Sequence, residues 1–125
     1  MILGVGVDVF AVRRMARELE QDGPGFVAGV FTPGEIADCS ATRDPARHYA
    51  VRFAAKEAVV KAISSAAVTG THWREIEVRA DGDGRPAVVL HGAIKAAAEG
   101  LSAGRIHLSL SHTREFALAT VIVES

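Results

Sequence analysis

Along Ile2 to Val9, Leu3, Val5, Val7 and Val9 share one face while Ile2, Gly4, Gly6 and Asp8 share the other, the two-residue period of a strand. Asp8 ends a face that two glycines leave bare, and glycines inside a strand let another backbone or a ligand approach closely. From Phe10 the period lengthens. Val12, Met15, Ala16 and Leu19 stand at i, i+3, i+4 and i+7, an amphipathic stripe, with Arg13, Arg14 and Arg17 on the remaining surface. Gly23-Pro24-Gly25 stops that helix. Thr32-Pro33-Gly34-Glu35 matches a capping box with proline at the first helical position, which predicts a short second helix through Ile36. Asp44-Pro45 is another start signal, and the alanine-rich stretch from Ala46 to about Ala66 predicts the longest helix.

Beyond Thr69-Gly70-Thr71 the pattern turns to strands. Ile76 and Val78 alternate with charges, Asp81-Gly82-Asp83-Gly84 makes a turn, and Ala87 to Leu90 returns as a hairpin. Ala93 to Glu99 reads as a helix closed by Gly100, and Arg105 to Ser111 alternates with Ile106, Leu108 and Leu110 opposite His107, Ser109 and Ser111. Phe116 to Val123 hardly alternates, which predicts a strand buried on both faces, in part by a partner subunit. The elements predict an α+β fold, an antiparallel sheet packed against the long helix, with residues 1–125 as a single domain.

Composition narrows the function classes. The chain has 125 residues, 49% apolar and 23% charged, with 14 Lys+Arg against 15 Asp+Glu. A chain of that size can build its own core. A formal net charge of −1 excludes a nucleic-acid binder working through bulk positive charge, and no apolar run is long enough to cross a bilayer. The interrupted apolar start reads as a strand, not as a signal peptide. Cys39 is the only cysteine, so no intrachain disulfide or thiolate cluster can form, which points to a reducing, cytoplasmic setting.

Charged residues then appear where the pattern calls for apolar ones. On the long helix, Phe53, Glu57, Val60, Lys61 and Ser64 occupy one sector, and Ala55, Val59, Ala62 and Ile63 another. Taken singly, Glu57 and Lys61 describe an exposed i, i+4 ion pair worth about 0.3 to 0.5 kcal/mol, and Asp8 describes a helix cap. No third glycine follows Gly4-x-Gly6 to make a dinucleotide loop, and no nucleophile elbow surrounds Ser109 or Ser111. His107 and His112 lack metal-ligand spacing and suit a phosphate or a local hydrogen bond. Taken together, Asp8 and Glu57 suit Mg²⁺, whose other ligands would be phosphate oxygens and water, with Lys56, Lys61 and Arg52 neutralising the same phosphates. Between Arg43 and Lys61 five basic residues face two acidic ones, so any polyanion site is local.

The motifs then align with a known family. Gly4-Val5-Gly6-Val7-Asp8 leading into a helix with Arg14, Phe31-Thr32-x-x-Glu35, Arg52-Phe53-Ala54-Ala55-Lys56-Glu57-Ala58-x-x-Lys61-Ala62, Gly84-x-Pro86 and His107-Leu108-Ser109-Leu110-Ser111-His112-Thr113 resemble the holo-acyl-carrier-protein synthase family. The resemblance implies a 4'-phosphopantetheinyl transferase-like fold and transfer of phosphopantetheine from coenzyme A to a serine of an apo acyl carrier protein, releasing adenosine 3',5'-bisphosphate. It implies Asp8 and Glu57 as Mg²⁺ ligands, and catalytic work for Asp8, Glu57 and Lys61. Lys61 would stabilise phosphoryl or leaving-group charge, and Glu57, or a water held by it and the metal, would take the serine proton. Arg52, Lys56, His107, His112 and Thr113 are implied to bind coenzyme A, and Arg13, Arg14 and Arg17 to dock the carrier. A homotrimer with sites at subunit boundaries is also implied.

Two positions depart from the family's pattern: Phe10-Ala11 where an acidic residue commonly follows the metal aspartate, and Ser64-Ser65-Ala66-Ala67 before a lone Gly70. The alternatives are a catalytically silent trimeric module that binds coenzyme A or a carrier, and an unrelated small-molecule phosphotransferase. The intact Asp8, Glu57 and Lys61 set argues against the first, and the lack of a phosphate-binding glycine loop against the second.

Overall fold

The alternating first segment forms β1 (Ile2–Ala11), in a computed structural model that describes residues 1–63 and 73–125. It pairs antiparallel with the last strand, β5 (Phe116–Glu124), which pairs in turn with β4 (Arg105–His112) in the order β1-β5-β4. The hairpin of β2 (Ile76–Ala80) and β3 (Pro86–Leu90) makes a separate two-stranded sheet. The fold is α+β.

Five α-helices and a short 3-10 turn (Trp73–Glu75) accompany the strands among the described residues: the α-helices are α1 (Val12–Gln21), α2 (Pro24–Val30), α3 (Pro33–Ser40), α4 (Pro45–Ile63) and α5 (Gly92–Gly100). The capping box at α3 forms as expected: the Thr32 hydroxyl accepts from the Glu35 amide while Glu35 accepts from the Thr32 amide. That helix runs on past Ile36 to Ser40. α2 is a correction, because Gly23-Pro24-Gly25 both stops α1 and starts a new helix. Gly23 takes φ 44°, a left-handed value suited to glycine, and Pro24 follows at the first helical turn.

α4 lies at the centre, with the glycine face of β1 directly on it. A Cβ at Gly4 would collide with the carbonyl oxygen of Ala62, and one at Gly6 with that of Ala58. The backbone that approaches the bare strand face is therefore that of α4. One core cluster joins Ala55, Ala58 and Val59 of α4 to Ala119, Val121 and Val123 of β5; the other joins Tyr49 and Ala50 to Met15, Phe31 and Cys39. Burial pushes the Cys39 thiol up to about 11, which leaves it un-ionised and chemically inert.

The chain itself covers β5 on one face only. Ala117, Ala119, Val121 and Val123 are buried, whereas Phe116 and Leu118 are exposed and Thr120 and Ile122 are half-buried, so the strand has an inner and an outer face in one chain. The readings that placed the end of the long helix near Ala66 and a turn at Thr69-Gly70-Thr71 lie outside the described residues.

Candidate active site

Asp8 and Glu57 meet where β1 crosses α4. On β1 the even-numbered residues from Gly4 face α4, so the glycines that admit the helix also carry Asp8 to it. On α4, Glu57 stands one residue before Ala58, whose carbonyl oxygen fills the space above Gly6. Lys61, one turn further, reaches across to β1. Its ammonium donates to Asp8 Oδ1 at 2.9 Å and to the Val7 carbonyl at 3.0 Å. The lysine is therefore the cross-element partner of Asp8, not the i, i+4 partner of Glu57 that spacing alone suggests.

Burial raises the Glu57 pKa above its ordinary range, and the charge of Asp8 raises it further against the opposing pull of Lys61 and Arg14. Two neighbouring carboxylates, one of them held above its ordinary pKa by burial, are a place where added positive charge is favourable. Among the described residues no group of three or more His, Cys, Asp and Glu side chains could hold a metal. Two carboxylates alone suit a hard cation that keeps several ligands for water and phosphate oxygens, as Mg²⁺ does.

Beside the carboxylates runs an aromatic row. Phe10 is two residues beyond Asp8 on the same strand face, and Phe53 is one helical turn before Glu57. Their rings meet edge to face at 4.9 Å, Trp73 packs on Phe53 at 5.2 Å, and the Arg14 guanidinium lies 5.2 Å over the Phe10 ring. Sequence reasoning passed over this row, although the i+2 and i−4 spacings to Asp8 and Glu57 carry the signal.

Towards the start of α4 the charge changes sign. Burial lowers the His48 pKa, and the positive charges of Arg52, His112 and Arg47 lower it further, against Asp44. Arg52 donates to the His48 carbonyl at 3.4 Å, while the Nε atoms of Arg47 and Arg52 are buried with no hydrogen-bond partner. Arg47 also pairs with Asp44 at 3.2 Å, so the unpaired donors are the two Nε–H groups, and these are suited to an anion. The cluster includes the predicted Arg52 and His112, and adds Arg47 and His48, which sequence reasoning had counted only as local charge or not singled out. A cleft of about 650 Å³ opens nearby, lined by Arg13, Asp44, Ala46, Arg114 and Phe116, without Asp8 or Glu57.

Other expected ligands are placed differently. Lys56 is fully buried; its ammonium donates to Glu35 Oε1 at 2.8 Å, to the Trp73 carbonyl at 2.8 Å and to the Ile76 carbonyl. All three N–H donors are used, so Lys56 has none left for a phosphate. His107 stands on the outer face of the sheet, opposite to Asp8, and pairs with Glu124 Oε1 at 2.8 Å. It could meet a ligand at Asp8 only from a neighbouring copy. The Thr113 hydroxyl is taken up in the β4–β5 turn, accepting from the amides of Glu115 and Phe116. Arg13, Arg14 and Arg17 are exposed on α1, as its apolar stripe requires.

Comparison with known proteins bears on the whole of this arrangement. A family model described as the 4'-phosphopantetheinyl transferase superfamily matches residues 4–121. The chain is 42% identical over 124 residues to the holo-[acyl-carrier-protein] synthase of Koribacter versatilis, covering 99% of each. It superposes on the crystal structure of holo-[acyl-carrier-protein] synthase from Neisseria meningitidis with a TM-score of 0.90 at 30% identity, covering 100% of both chains. It is similar also to a holo-(acyl-carrier-protein) synthase from Bacillus anthracis in complex with CoA (3',5'-ADP), with a TM-score of 0.80 at 31% identity over 100% of this chain and 98% of that one.

Proposed function

Because the chain belongs to the holo-acyl-carrier-protein synthase family of 4'-phosphopantetheinyl transferases, we propose that it moves 4'-phosphopantetheine from coenzyme A to a serine of an apo acyl carrier protein, with Mg²⁺ as the required ion and adenosine 3',5'-bisphosphate as the product. The observation that carries the proposal is the convergence of Asp8, Glu57 and Lys61 at the β1–α4 crossing. The donor set of two carboxylates fits Mg²⁺, which when bound would neutralise diphosphate oxygens and hold them in line.

The serine oxygen attacks the phosphorus that bears the pantetheine arm, a new P–O bond forms, and the bond to the adenosine phosphate breaks. Lys61 stabilises negative charge that gathers on the transferred and leaving oxygens. Glu57, or a water held by it and the metal, takes the serine proton. The guanidinium groups of Arg47 and Arg52, whose Nε atoms are buried without a partner, support binding of an anionic group of coenzyme A beside His48 and His112, the 3'-phosphate being the group the resemblance implies. Exposed Arg13, Arg14 and Arg17 support docking of an acidic carrier surface, with the charges chiefly steering the encounter. Apolar side chains on the outer sheet face support assembly with further copies, as a trimer. Carriers of this kind would be met in the cytoplasm; no helix among the described residues is long and apolar enough to cross a membrane.

The test is intact-mass measurement of apo carrier proteins incubated with the enzyme, coenzyme A and Mg²⁺. Addition of phosphopantetheine to the carrier serine is expected, and absence of transfer to any of several carriers overturns the proposal. Asp8→Ala and Glu57→Ala are each expected to abolish transfer without loss of fold by circular dichroism. Near-normal rates in either variant would remove that residue from the site.

A further inference from the structure

We propose that Phe10 is a positioning residue for carrier recognition: its ring seats the Arg14 guanidinium at the edge of the Asp8–Glu57 site and sets that arginine apart from Arg13 and Arg17. The proposal rests on the carrier-docking role proposed above for α1. Three arginines stand on the exposed surface of that helix, and among them Arg14 is the one that lies over an aromatic ring, 5.2 Å from the Phe10 centroid. That distance is within the range at which a guanidinium is attracted to the ring face. Arg13 turns instead towards the cleft lined by Asp44 and Arg114.

The ring is itself fixed from behind. Phe53 meets Phe10 edge to face at 4.9 Å, and Trp73 backs Phe53 at 5.2 Å. Phe10 and Phe53 leave the same faces of β1 and α4 as Asp8 and Glu57, so the row is aligned by the crossing that aligns the carboxylates. Arg14 is consequently close enough to Glu57 to act on its carboxylate. A carrier whose serine reaches Glu57 meets Arg14 beside the reacting end, with Arg13 and Arg17 further along the helix. An arginine already held over a ring has less freedom to lose when its acidic partner arrives, which strengthens docking without a new contact.

The experiment has a structural and a kinetic arm. In the wild-type enzyme the Arg14 side-chain proton resonances are expected upfield of those of Arg13 and Arg17 through the ring current, and Phe10→Leu should abolish that shift. Leucine keeps an apolar group against Phe53, so the fold is retained. Phe10→Leu should raise the carrier KM about two- to fivefold, the size of an exposed cation–π contact, leave the coenzyme A KM unchanged, and be rescued by Phe10→Tyr. In an Arg14→Ala background Phe10→Leu should have no further effect on the carrier KM. The same rise in both backgrounds, or unshifted Arg14 resonances in the wild type, overturns the proposal. An Arg14→Ala enzyme with unaltered carrier KM would overturn the docking role on which it rests, while the ring-current shift would still report the seating by itself.

Discussion

Lys56 and Glu57 are adjacent on α4 and serve opposite ends: one side chain is sealed against α3 and β2, the other stands beside Asp8 of β1. The Lys56 ammonium is joined to Glu35, and Glu35 also accepts from the amides of Thr32 and Val78, so a single carboxylate caps α3, holds β2 and balances a buried cation. Lys56→Met leaves that carboxylate buried without its counter-charge and is expected to destabilise the fold by about 3–5 kcal/mol in urea unfolding. Adding Glu35→Gln should recover part of the loss, since the amide oxygen can still accept from Thr32. The partner lies 21 residues from Lys56, and for this reason local spacing could not separate this lysine from Lys61, which reaches Asp8 instead. Glu77 makes a second residue-scale prediction. Burial pulls its pKa up, but hydrogen bonds from Thr32, His91 and Arg79 outweigh burial and hold the carboxyl below its ordinary value of 4.5. A depressed folded-state pKa contributes stability that is present above 4.5 and lost as pH falls through the folded value. Glu77→Gln should therefore flatten the acid limb of the stability profile below about pH 4.5, measured by denaturation at a series of pH values.

At the scale of elements, the β1–α4 crossing decides both packing and chemistry. Alternation and the two strand glycines made β1, its bare face and a close backbone approach legible, and the Asp44-Pro45 start made α4 legible. The relative placement of Asp8 and Glu57 was legible only through the family motifs, because periodicity says which face a residue is on but not which element will cover it. α2 escaped for a different physical reason: proline breaks a helix in its interior but starts one at its first position, and Gly23-Pro24 does both at once. The crossing can be tested by filling it. A methyl at Gly6 would collide with the Ala58 backbone carbonyl, which cannot step aside as a flexible side chain could. Gly6→Ala should cost at least about 3 kcal/mol in urea unfolding, the upper end of overpacking penalties. Under conditions where the variant stays folded, transfer should fall further than stability alone explains, because the same displacement separates Asp8 from Glu57.

Over the whole molecule, the net charge of −1 averages a carboxylate pair, the cationic start of α4 and the arginines of α1. The outer sheet face is the feature that one chain leaves unresolved: Val5, Val7 and Val9 are each more than half exposed, and Phe116 and Leu118 stand beside them on β5. Contiguous apolar area of this kind marks a protein interface more often than a solvated surface. One chain covers β5 on the inner side alone, and the cover expected from a partner subunit would lie on the outer side. His107 stands on that outer face too, where a neighbouring copy could bring it to a site that its own chain cannot reach. Val5→Lys places a charge within the exposed valine row of the outer face, while the inward side chains of β1 are untouched because neighbouring strand residues point to opposite faces. The wild-type protein is expected to run as three copies in light scattering after size exclusion, and the variant as one. Loss of transfer by the single-copy variant, with its unfolding midpoint little changed, would assign part of the coenzyme A site to the neighbouring chain. A wild-type protein that is active as a single copy would instead confine the whole site to one β1–α4 crossing and the cationic start of its own helix.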